Sequence, residues 1–481
     1  MKLKLQFERR KSNVLNNCIL LFVFLLTIFT SAQTTHYVNG ATGNDAGNCT
    51  NPENPCETIF YAYEMSDFGD TIEVSEGIYT EFFDINKSIS IVGAGQNLTV
   101  IQAHNSPELS NNRIFKINPG FDVSISELTI RHGKSLSGGG IYNIGSTITL
   151  SNIIFEDNFA FNYGGGIQNF DATANLTNVI FLNNSAIGGG GGMRNDNSSV
   201  ELNDVSFINN FAEVSGGGLY NVNTSGVFSN IYLLGNTALN SGGGMVNFDH
   251  SSPTLINCVF SGNKSVEGGG GLVNVFQSSP ILINVTFSGN HTDQLGGGIL
   301  NIDHSSPVLS NVIIWGNSSE NETTTTSASI SNIEFSNPVI SYSLIDNSGG
   351  STNWNTQIGI DEGNNVADDP MFIDQPDPDN APTELGNLRL LEGSPAIDFG
   401  DPDTDFSLFP GGIENPLDLD GNLRLYNDFI DLGAYEYQGS MSIIDITEPD
   451  RDIHLYPNPV DNMLYILGKN EMTYLAILDI Q

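Results

Sequence analysis

A six-residue motif of three glycines, two variable residues and an asparagine recurs along half of this chain. Five copies read GGGIYN, GGGIQN, GGGLYN, GGGMVN and GGGILN, and they begin at Gly138, Gly164, Gly216, Gly242 and Gly296. The first glycine falls at positions 138, 164, 190, 216, 242 and 268, a spacing of 26 residues, and then at 296. Self-similarity at a fixed period of this length predicts a solenoid, in which each repeat forms one coil.

Apolar residues alternate within the repeat. In LSNIIFEDN the side chains of Ile153 and Phe155 share one face, and their counterparts stay apolar in every copy, whereas the position between them varies from Ile154 to Tyr232. Alternation predicts a strand with a core side and a solvent side, and triple glycine excludes a helix. Short strands at this period predict an all-β fold, a right-handed parallel β-helix of roughly ten coils, stacked about 4.8 Å apart.

The glycines and asparagines have architectural roles in such a fold. Each glycine row marks a corner whose backbone conformations are closed to residues with a Cβ. Asparagines at one period should stack as ladders, each amide donating to and accepting from the next, and Phe155, Phe181 and Phe207 should form one internal column. The predicted ladder residues are Asn143, Asn169, Asn195, Asn221, Asn247, Asn274, Asn301, Asn158, Asn184, Asn210, Asn236, Asn263, Asn290 and Asn317. A third row at the same period runs through Asn152, Asn178, Asp204, Asn230, Asn257, Asn284 and Asn311.

The net charge limits the possible partners of the protein, and the N-terminal sequence indicates where the protein is located. The 481 residues carry a net charge of −39, from 55 acidic and 16 basic residues, so nucleic acid and anionic membranes are poor partners. Basic residues precede an apolar run at 19–29 and then Thr30-Ser31-Ala32. This order is typical of a secretory signal, cleaved after Ala32. No other segment approaches a transmembrane helix, so we expect an exported, monomeric protein without a transmembrane span.

Three cysteines follow the predicted signal. Cys49 and Cys56 flank the short loop TNPENP, and in an oxidising exterior they are predicted to form a disulfide. Cys258 occupies the row of Ile153 and Val179, so we interpret it as a buried, inert thiol.

Several segments resemble known families. The paired GGG-I and F-x-x-N signals resemble the repeats of chlamydial polymorphic outer-membrane proteins and related bacterial β-helix proteins, over about residues 120–320. Upstream, the segment HYVNGATGNDAGNCTNPENPCETIFYAYEMSDFGDTIEVSEGIYTE resembles the entry to pectate-lyase-like β-helices. That resemblance implies a short helix over Glu57–Met65 that caps the first coil, with GDTIEVSEGIY beginning it.

The C-terminal third carries two further resemblances. DPMFIDQ, NLRLLEGSPAIDFGD and LDLDGNLRLYNDFIDLGAYEY resemble the choice-of-anchor Q segment that closes such helices in secreted bacterial proteins, which implies a C-terminal cap. HLYPNPVDNMLYI resembles the opening of the type IX secretion sorting domain of Bacteroidota, a β-sandwich-like domain of which this sequence holds the first part. This second resemblance implies the type IX secretion machinery as a partner and the cell surface or exterior of a Gram-negative bacterium as the location.

These signals predict six segments. They are a signal peptide at 1–32, an N-terminal cap with the first coils at 33–118, the repetitive β-helix at 119–348, C-terminal coils with the choice-of-anchor Q-like cap at 349–438, a linker at 439–453 and the partial sorting domain at 454–481.

Catalysis on polysaccharides is the alternative that the pectin-lyase-like superfamily raises. A uronate lyase needs a Lys or Arg base and acidic residues that hold Ca²⁺. Between Ser135 and Leu388 the only Lys or Arg residues are Arg194 and Lys264, in different coils, and an acidic groove would repel a polyuronate. A hydrolase is therefore favoured over a lyase within this alternative.

A glycoside hydrolase needs two carboxyls at a set separation. The candidates Asp171, Asp249 and Asp303 each lie two residues after a ladder asparagine. However, 249–253 and 303–307 share the sequence DHSSP, and such repetition is typical of duplicated turn chemistry. Asp249 and Asp303 remain the catalytic candidates of the alternative, and the histidines alone predict no metal site.

Cofactor signals are weak. Two acidic segments place carboxylates at alternating positions, but neither continues as an EF-hand loop, so we interpret them as solvated turns and predict no cofactor. The weak calcium candidates are Asp401, Asp403, Asp405, Asp418 and Asp420. The only tryptophans are Trp315 and Trp354, so the sequence gives little support for an aromatic sugar-stacking platform. The favoured hypothesis is a secreted or surface-displayed repeat protein with a structural, adhesive or glycan-contacting role, its partner a polysaccharide or a cell-surface glycan.

Overall fold

The computed structural model describes residues 33–319, 326–426 and 429–439, together with two short paired strands, His454–Tyr456 and Tyr465–Leu467. The predicted signal peptide, all but the first residue of the predicted linker and most of the predicted sorting segment lie outside the described residues.

The chain forms a right-handed parallel β-helix of about 11 turns, as the repeat predicts. Three parallel sheets run along it. Sheet A has 19 strands, namely Thr35–Val38, Thr71–Val74, Gly77–Thr80, Ile89–Val92, Thr99–Gln102, Asp122–Arg131, Thr147–Glu156, Thr173–Leu182, Ser199–Ile208, Val227–Leu234, Thr254–Ile256, Val259–Ser261, Ile281–Ile283, Thr286–Ser288, Val308–Ser310, Ile313–Trp315, Val339–Ser341, Leu344–Ile345 and Ile360–Gly363.

The other two parallel sheets close the coil. Sheet B has 10 strands, namely Phe83–Ile85, Phe115–Ile117, Ile141–Ile144, Ile167–Phe170, Met193–Asp196, Leu219–Val222, Met245–Phe248, Leu272–Val275, Ile299–Asn301 and Ile330–Asn332. Sheet C has 8 strands, namely Lys134–Ser137, Phe159–Tyr163, Ser185–Ala186, Phe211–Ala212, Thr237–Ala238, Lys264–Ser265, His291–Thr292 and Ser318–Ser319.

A few elements lie outside these sheets. The described helices are Ile59–Met65 and the single turn Thr326–Ser329, with 3-10 turns at Pro378–Asn380 and Phe406–Leu408. Strands Phe372–Asp374 and Asn387–Leu390 pair antiparallel. Among the described residues, no helix is long and apolar enough to span a bilayer.

In-register stacking builds the core. Phe155 pairs with Phe181, and Phe181 with Phe207. Their rings stack with centroids 4.9 and 4.8 Å apart and interplanar angles of 8° and 3°. The predicted column is confirmed. The column forms because parallel strands pair in register, so that the same side chain in successive coils lies directly above its equivalent.

The glycine corner leaves no room for a side chain. Gly164 has a φ of +66°, and a Cβ on Gly165 would collide with the carbonyl oxygen of Gly191 in the next coil. In one coil the predicted corner is one residue early, because Gly269, with a φ of +63°, takes the position of Gly242. The period is therefore 27 residues from Gly242 to Gly269 and again to Gly296.

The N-terminal end is covered by the short helix. It begins at Ile59, two residues later than the predicted Glu57, because Thr58 is its N-cap and accepts a hydrogen bond from the backbone N–H of Tyr61. The carboxylate of Glu81 accepts the backbone N–H groups of Ile59 and Phe60. Buried side chains of this helix join the core of the first coils, so the predicted cap is present.

The C-terminal end differs from the expected cap. Ile358 is buried in the main core, and Trp354 packs against it and donates its indole N–H to the carbonyl of Gly359 at 2.9 Å. These residues close the last coil. Most of the region predicted at 349–438 as C-terminal coils and cap instead lies along the outer face of sheet A, because its apolar side chains pack there. We call residues 366–439 the flank segment.

Candidate functional site

The first two asparagine rows bond within the solenoid. Asn143 Nδ2 donates to Asn169 Oδ1 at 3.0 Å, and the same bond repeats at 2.8–3.0 Å down to Asn301, which donates to Asn332. In the second row Asn158 Nδ2 donates to Asn184 Oδ1 at 2.9 Å, and this bond repeats down to Asn317. These side chains are buried, so they stabilise the corners and are unavailable to a ligand.

The third polar row has a role that the sequence did not reveal. Each of its residues has a positive φ, from 52° to 57°, and its side chain points outward. In the later coils these side chains bind the flank segment. Asn257 Nδ2 donates to the carbonyl of Leu417 at 2.7 Å, and Asn311 Oδ1 accepts the backbone N–H of Asp401 at 2.7 Å. The period of the row was the available signal, but its partner was not.

A second core lies between sheet A and the flank segment. Val259, Ile313 and Leu344 point out of the helix and pack against side chains such as Leu390 and Leu432. The sequence predicted a solvent face at this variable position, and that prediction is wrong for these coils. It fails because the flank segment carries its own apolar residues, and burying both surfaces removes them from water.

A buried charged cluster anchors the flank segment. Arg424 is fully buried, and its Nη2 donates to Asn257 Oδ1 at 2.8 Å. Its Nη1 lies 3.5 Å from Glu436 Oε2. Burial raises the pKa of Glu436 to about 9 and that of Asp431 to about 6, although the positive charge of Arg424 opposes both shifts. Neither the motifs nor the composition pointed to this cluster.

A small cleft opens where the flank segment meets the exposed part of sheet A. Tyr232, Tyr435, Arg389 and Glu384 line a space of about 180 Å³. The guanidinium of Arg389 lies 4.7 Å from the centre of the Tyr435 ring and pairs with Asp420. Because Asp420 neutralises the one cation of this cleft, it offers little attraction for an anionic ligand.

The two catalytic candidates lie at the corner that follows sheet B. Asp249 Oδ1 lies 2.9 Å from His250 Nδ1, and Asp303 Oδ1 lies 2.8 Å from His304 Nδ1. All four side chains are at least partly exposed. Each carboxylate therefore orients the adjacent imidazole.

The structure keeps these candidates apart. The backbone bonds place the corner of Phe276 between those of Asp249 and Asp303, so the two aspartates lie two coils, or roughly 10 Å, apart. The third candidate, Asp171, lies three coils before Asp249 and accepts a hydrogen bond from Asn197 Nδ2 at 3.2 Å. The candidate carboxyls are not brought together as a pair.

The basic residues considered for a lyase also lie apart. Arg194 is on sheet B, between the rings of Tyr163 and Tyr220 at 3.7 and 4.7 Å, and it pairs with Asp196 at 2.8 Å. Lys264 is on sheet C. The Arg194 guanidinium thus has a structural role, because two tyrosine rings and the Asp196 carboxylate hold it.

Three of the five calcium candidates cap turns, and Asp420 pairs with Arg389. Asp401 and Asp405 accept the backbone N–H groups of the residues two positions later, each at 2.9 Å. Asp418 accepts those of Asp420 and Asn422. Asp403 is exposed on the first of these turns. Within the described ranges, no group of three or more His, Cys, Asp or Glu side chains could hold a metal ion.

The cysteines divide as the sequence predicts them. Cys49 and Cys56 form a disulfide in the N-terminal cap. Cys258 is fully buried, and the loss of hydration raises the pKa of its thiol to about 12. A thiol so far from ionisation is a poor nucleophile.

Two stretches of the chain, residues 204–222 and 284–302, match the family of the Chlamydia polymorphic membrane protein repeat. These stretches cover two of the repeats that carry both the glycine and the asparagine signals. No curated protein matches the chain.

Several solved structures have a similar backbone fold. Pectate lyase Pel9A has 16% identity and a TM-score of 0.44, over 84% of this chain and 97% of that one. XylC in complex with xylose has 10% identity and a TM-score of 0.39, over 71% and 87%. GH136 lacto-N-biosidase from Eubacterium ramulus has 11% identity and a TM-score of 0.36, over 70% and 67%. Likenesses this low carry no inference about the activity of this chain.

Proposed function

We propose that this protein is a secreted or surface-displayed β-helix that contacts glycans without cleaving them. The observation that carries the proposal is the placement of the best catalytic candidates. Asp249 and Asp303 are partly exposed, lie two coils apart with Phe276 between them, and each bonds to its own histidine. Glycosidases hold their two carboxyls about 5–9.5 Å apart, across one scissile bond, and the two-coil separation of roughly 10 Å exceeds this range. Exposed carboxylates and imidazoles can instead bond to the hydroxyl groups of a sugar.

Surface display has separate support. The matched repeat belongs, by its description, to a membrane protein of Chlamydia, and the same repeat forms the regular coils here. The net charge of −39 favours solubility and disfavours nucleic acid as a partner. The signal-like segment at 1–32 and the LYPNPV motif support export through the type IX machinery, and we propose this route.

Two assays on the purified mature protein test the proposal. We expect binding to at least one polysaccharide on a glycan array, and no release of reducing sugar from the same polymer. Release that Asp249→Asn or Asp303→Asn abolishes would establish a hydrolase instead. Absence of binding to every glycan would refute the glycan-contacting role.

Export is tested separately. We expect cells expressing the full chain to expose it to externally added protease, and deletion of residues 1–32 to leave it protected inside. A chain that stays inside with residues 1–32 intact would contradict surface display.

A further inference from the structure

Four successive coils turn the corner after sheet B with one loop design. The loops are Asp249–Pro253, Phe276–Pro280, Asp303–Pro307 and Glu334–Pro338, so the DHSSP pair noted in the sequence is half of a set of four. Each loop has two variable residues, then a serine, a serine or asparagine, and a proline. These are also the coils in which the period has grown to 27 residues or more.

The last three residues of each loop hold it in place. Ser251 N donates to Ser278 Oγ, Ser278 N to Ser305 Oγ and Ser305 N to Ser336 Oγ, each at 3.1 Å. The second serines form another row of hydrogen bonds, which point towards the preceding coil. In this row Ser279 N donates to Ser252 Oγ at 2.9 Å. The loop is therefore stabilised without its first two side chains.

Those first two residues stand in a backbone conformation that most side chains avoid. All eight have a φ between +51° and +65°. The three preceding coils need only one such residue, and there it is Asp171, Asn197 or Asn223, which tolerate this conformation. Phe276 and Phe335 tolerate it poorly, and strain of this kind persists most often where a side chain serves a function.

The strained side chains are displayed to solvent. Phe276 is 45% exposed and Phe335 is 86% exposed. Phe276 stands edge-on to Phe248, with ring centroids 5.0 Å apart, and Phe335 stacks on His304 at 5.2 Å. We call the eight variable residues the corner ridge: Asp249, His250, Phe276, Gln277, Asp303, His304, Glu334 and Phe335.

We propose that the corner ridge binds a neutral polysaccharide chain that lies along the helix axis. This inference rests on the proposed glycan contact and names its site and ligand class. Exposed rings pack against the apolar faces of sugars, while the carboxylates, imidazoles and the Gln277 amide can bond to hydroxyl groups. The carboxylates of Asp249, Asp303 and Glu334 repel anionic glycans.

The spacing fits an extended chain. Each coil advances the ridge by about 4.8 Å, so the Asp–His pair of 249–250 recurs at 303–304 after roughly 10 Å. Two residues of an extended β-linked polysaccharide cover a comparable length. A disaccharide repeat would thus meet an Asp–His pair at two points along the ridge, 249–250 and 303–304.

Two ring variants and one control test the inference on the full mature chain. Phe276→Asn and Phe335→Asn remove the rings and install a residue that tolerates the backbone, as Asn223 does in a preceding coil. Phe82→Asn is the control, because Phe82 is 49% exposed and lies outside the ridge. The probes are xylan, mannan and β-glucan oligosaccharides of two to eight residues, with polygalacturonate as the anionic comparison, measured by calorimetry.

We expect each ring variant to weaken binding of the preferred neutral oligosaccharide by about 3- to 10-fold, with the control unchanged. Affinity should rise with chain length from two to at least four residues. Equal affinity in all variants would overturn the ridge while leaving glycan contact intact, whereas no binding of the unchanged protein to any glycan would overturn both. Tighter binding of polygalacturonate would overturn the ligand class. Ring variants that change only the oligomeric state would identify a second copy as the occupant.

Discussion

The early coils, residues 138–241, and the later coils, residues 242–338, share one interior and differ outside. Phe181 and Phe287 occupy the same inner row in the two halves, and both are fully buried. On the outer face of sheet A, Ile154 and Ile180 are only half-buried in the early coils, whereas Val259 and Ile313 are buried under the flank segment in the later coils.

The corners differ in the same way. The early corner has one residue with a positive φ, and it is an asparagine or aspartate whose side chain bonds to its equivalent in an adjacent coil. Asn223 Nδ2, for example, donates to Asn197 Oδ1 at 2.9 Å. The later corner has two such positions and displays Phe276 and Phe335. Inner rows stay apolar even where the residue changes, as at Leu233 between Phe207 and Phe260, so any new surface must come from the outward positions.

The largest expected effect is common to both halves. Phe181→Ala and Phe287→Ala should each lower the free energy of unfolding by about 3–5 kcal/mol, because each leaves a cavity in the column. Chemical denaturation followed by fluorescence or circular dichroism measures this loss. The exposed Phe161→Ala is the control and should cost under about 1 kcal/mol. A much smaller loss in one half would show that the two interiors are not equivalent.

A second change should separate the halves. Arg424→Ala leaves the Asn257 amide oxygen buried without its donor and opens a cavity beside Glu436, and should cost about 3 kcal/mol, felt in the flank segment and the coils that it contacts. Hydrogen exchange should show lost protection at 366–439 and unchanged protection at 138–208, which lies before the first contact with the flank segment at Asn209. The matched variant Arg389→Ala breaks an exposed pair and should cost about 0–1 kcal/mol. Equal loss of protection in both halves would remove the distinction.

The stability of the later half, and not that of the early half, should depend on pH. The pKa values of Asp431 and Glu436 are raised to about 6 and about 9, so the folded state binds protons that the unfolded state has released. Their contribution is full below the ordinary pKa values near 4 and is lost as pH rises through about 6 and about 9.

The measurable consequence is a weaker attachment of the flank segment at alkaline pH. From pH 5 to pH 9 its protection should fall by at least about 1 kcal/mol, while residues 138–208 keep theirs. Glu436→Gln should flatten most of this dependence, since the amide cannot ionise. An attachment that strengthens as pH rises would reverse the assigned direction.

The smallest expected effect sharpens the contrast between corners. Phe276→Asn should raise the free energy of unfolding by about 0.5–1 kcal/mol, because asparagine tolerates the positive φ better than phenylalanine. The reverse change in the early half, Asn223→Phe, should lower it by a similar amount and also remove the bond to Asn197. Thermal unfolding of the two variants measures both shifts. A stability loss in Phe276→Asn would mean that the ring is held for packing against Phe248 and not for display.

Much of this architecture could be predicted because it repeats. The alternation around Ile153 and Phe155 predicted the core side, and the period predicted which residues stack. The corner of one coil was assigned to Gly268 instead of Gly269, because four consecutive glycines hide the added residue. The third asparagine row was visible, but its binding to Leu417 and Asp401 depends on a segment that does not repeat.

The sequence by itself determined the coil, its register, its ladders and its aromatic column, since residues at one period in a parallel helix must meet their equivalents. Only the tertiary structure decided which outward surfaces stay in water. Residues 366–439 could cap the open end or lie along the side, and their apolar area and the buried Arg424 favour sheet A. The packing of this segment on sheet A depends on contacts between residues far apart in sequence that do not repeat from coil to coil. It also leaves the corner ridge exposed.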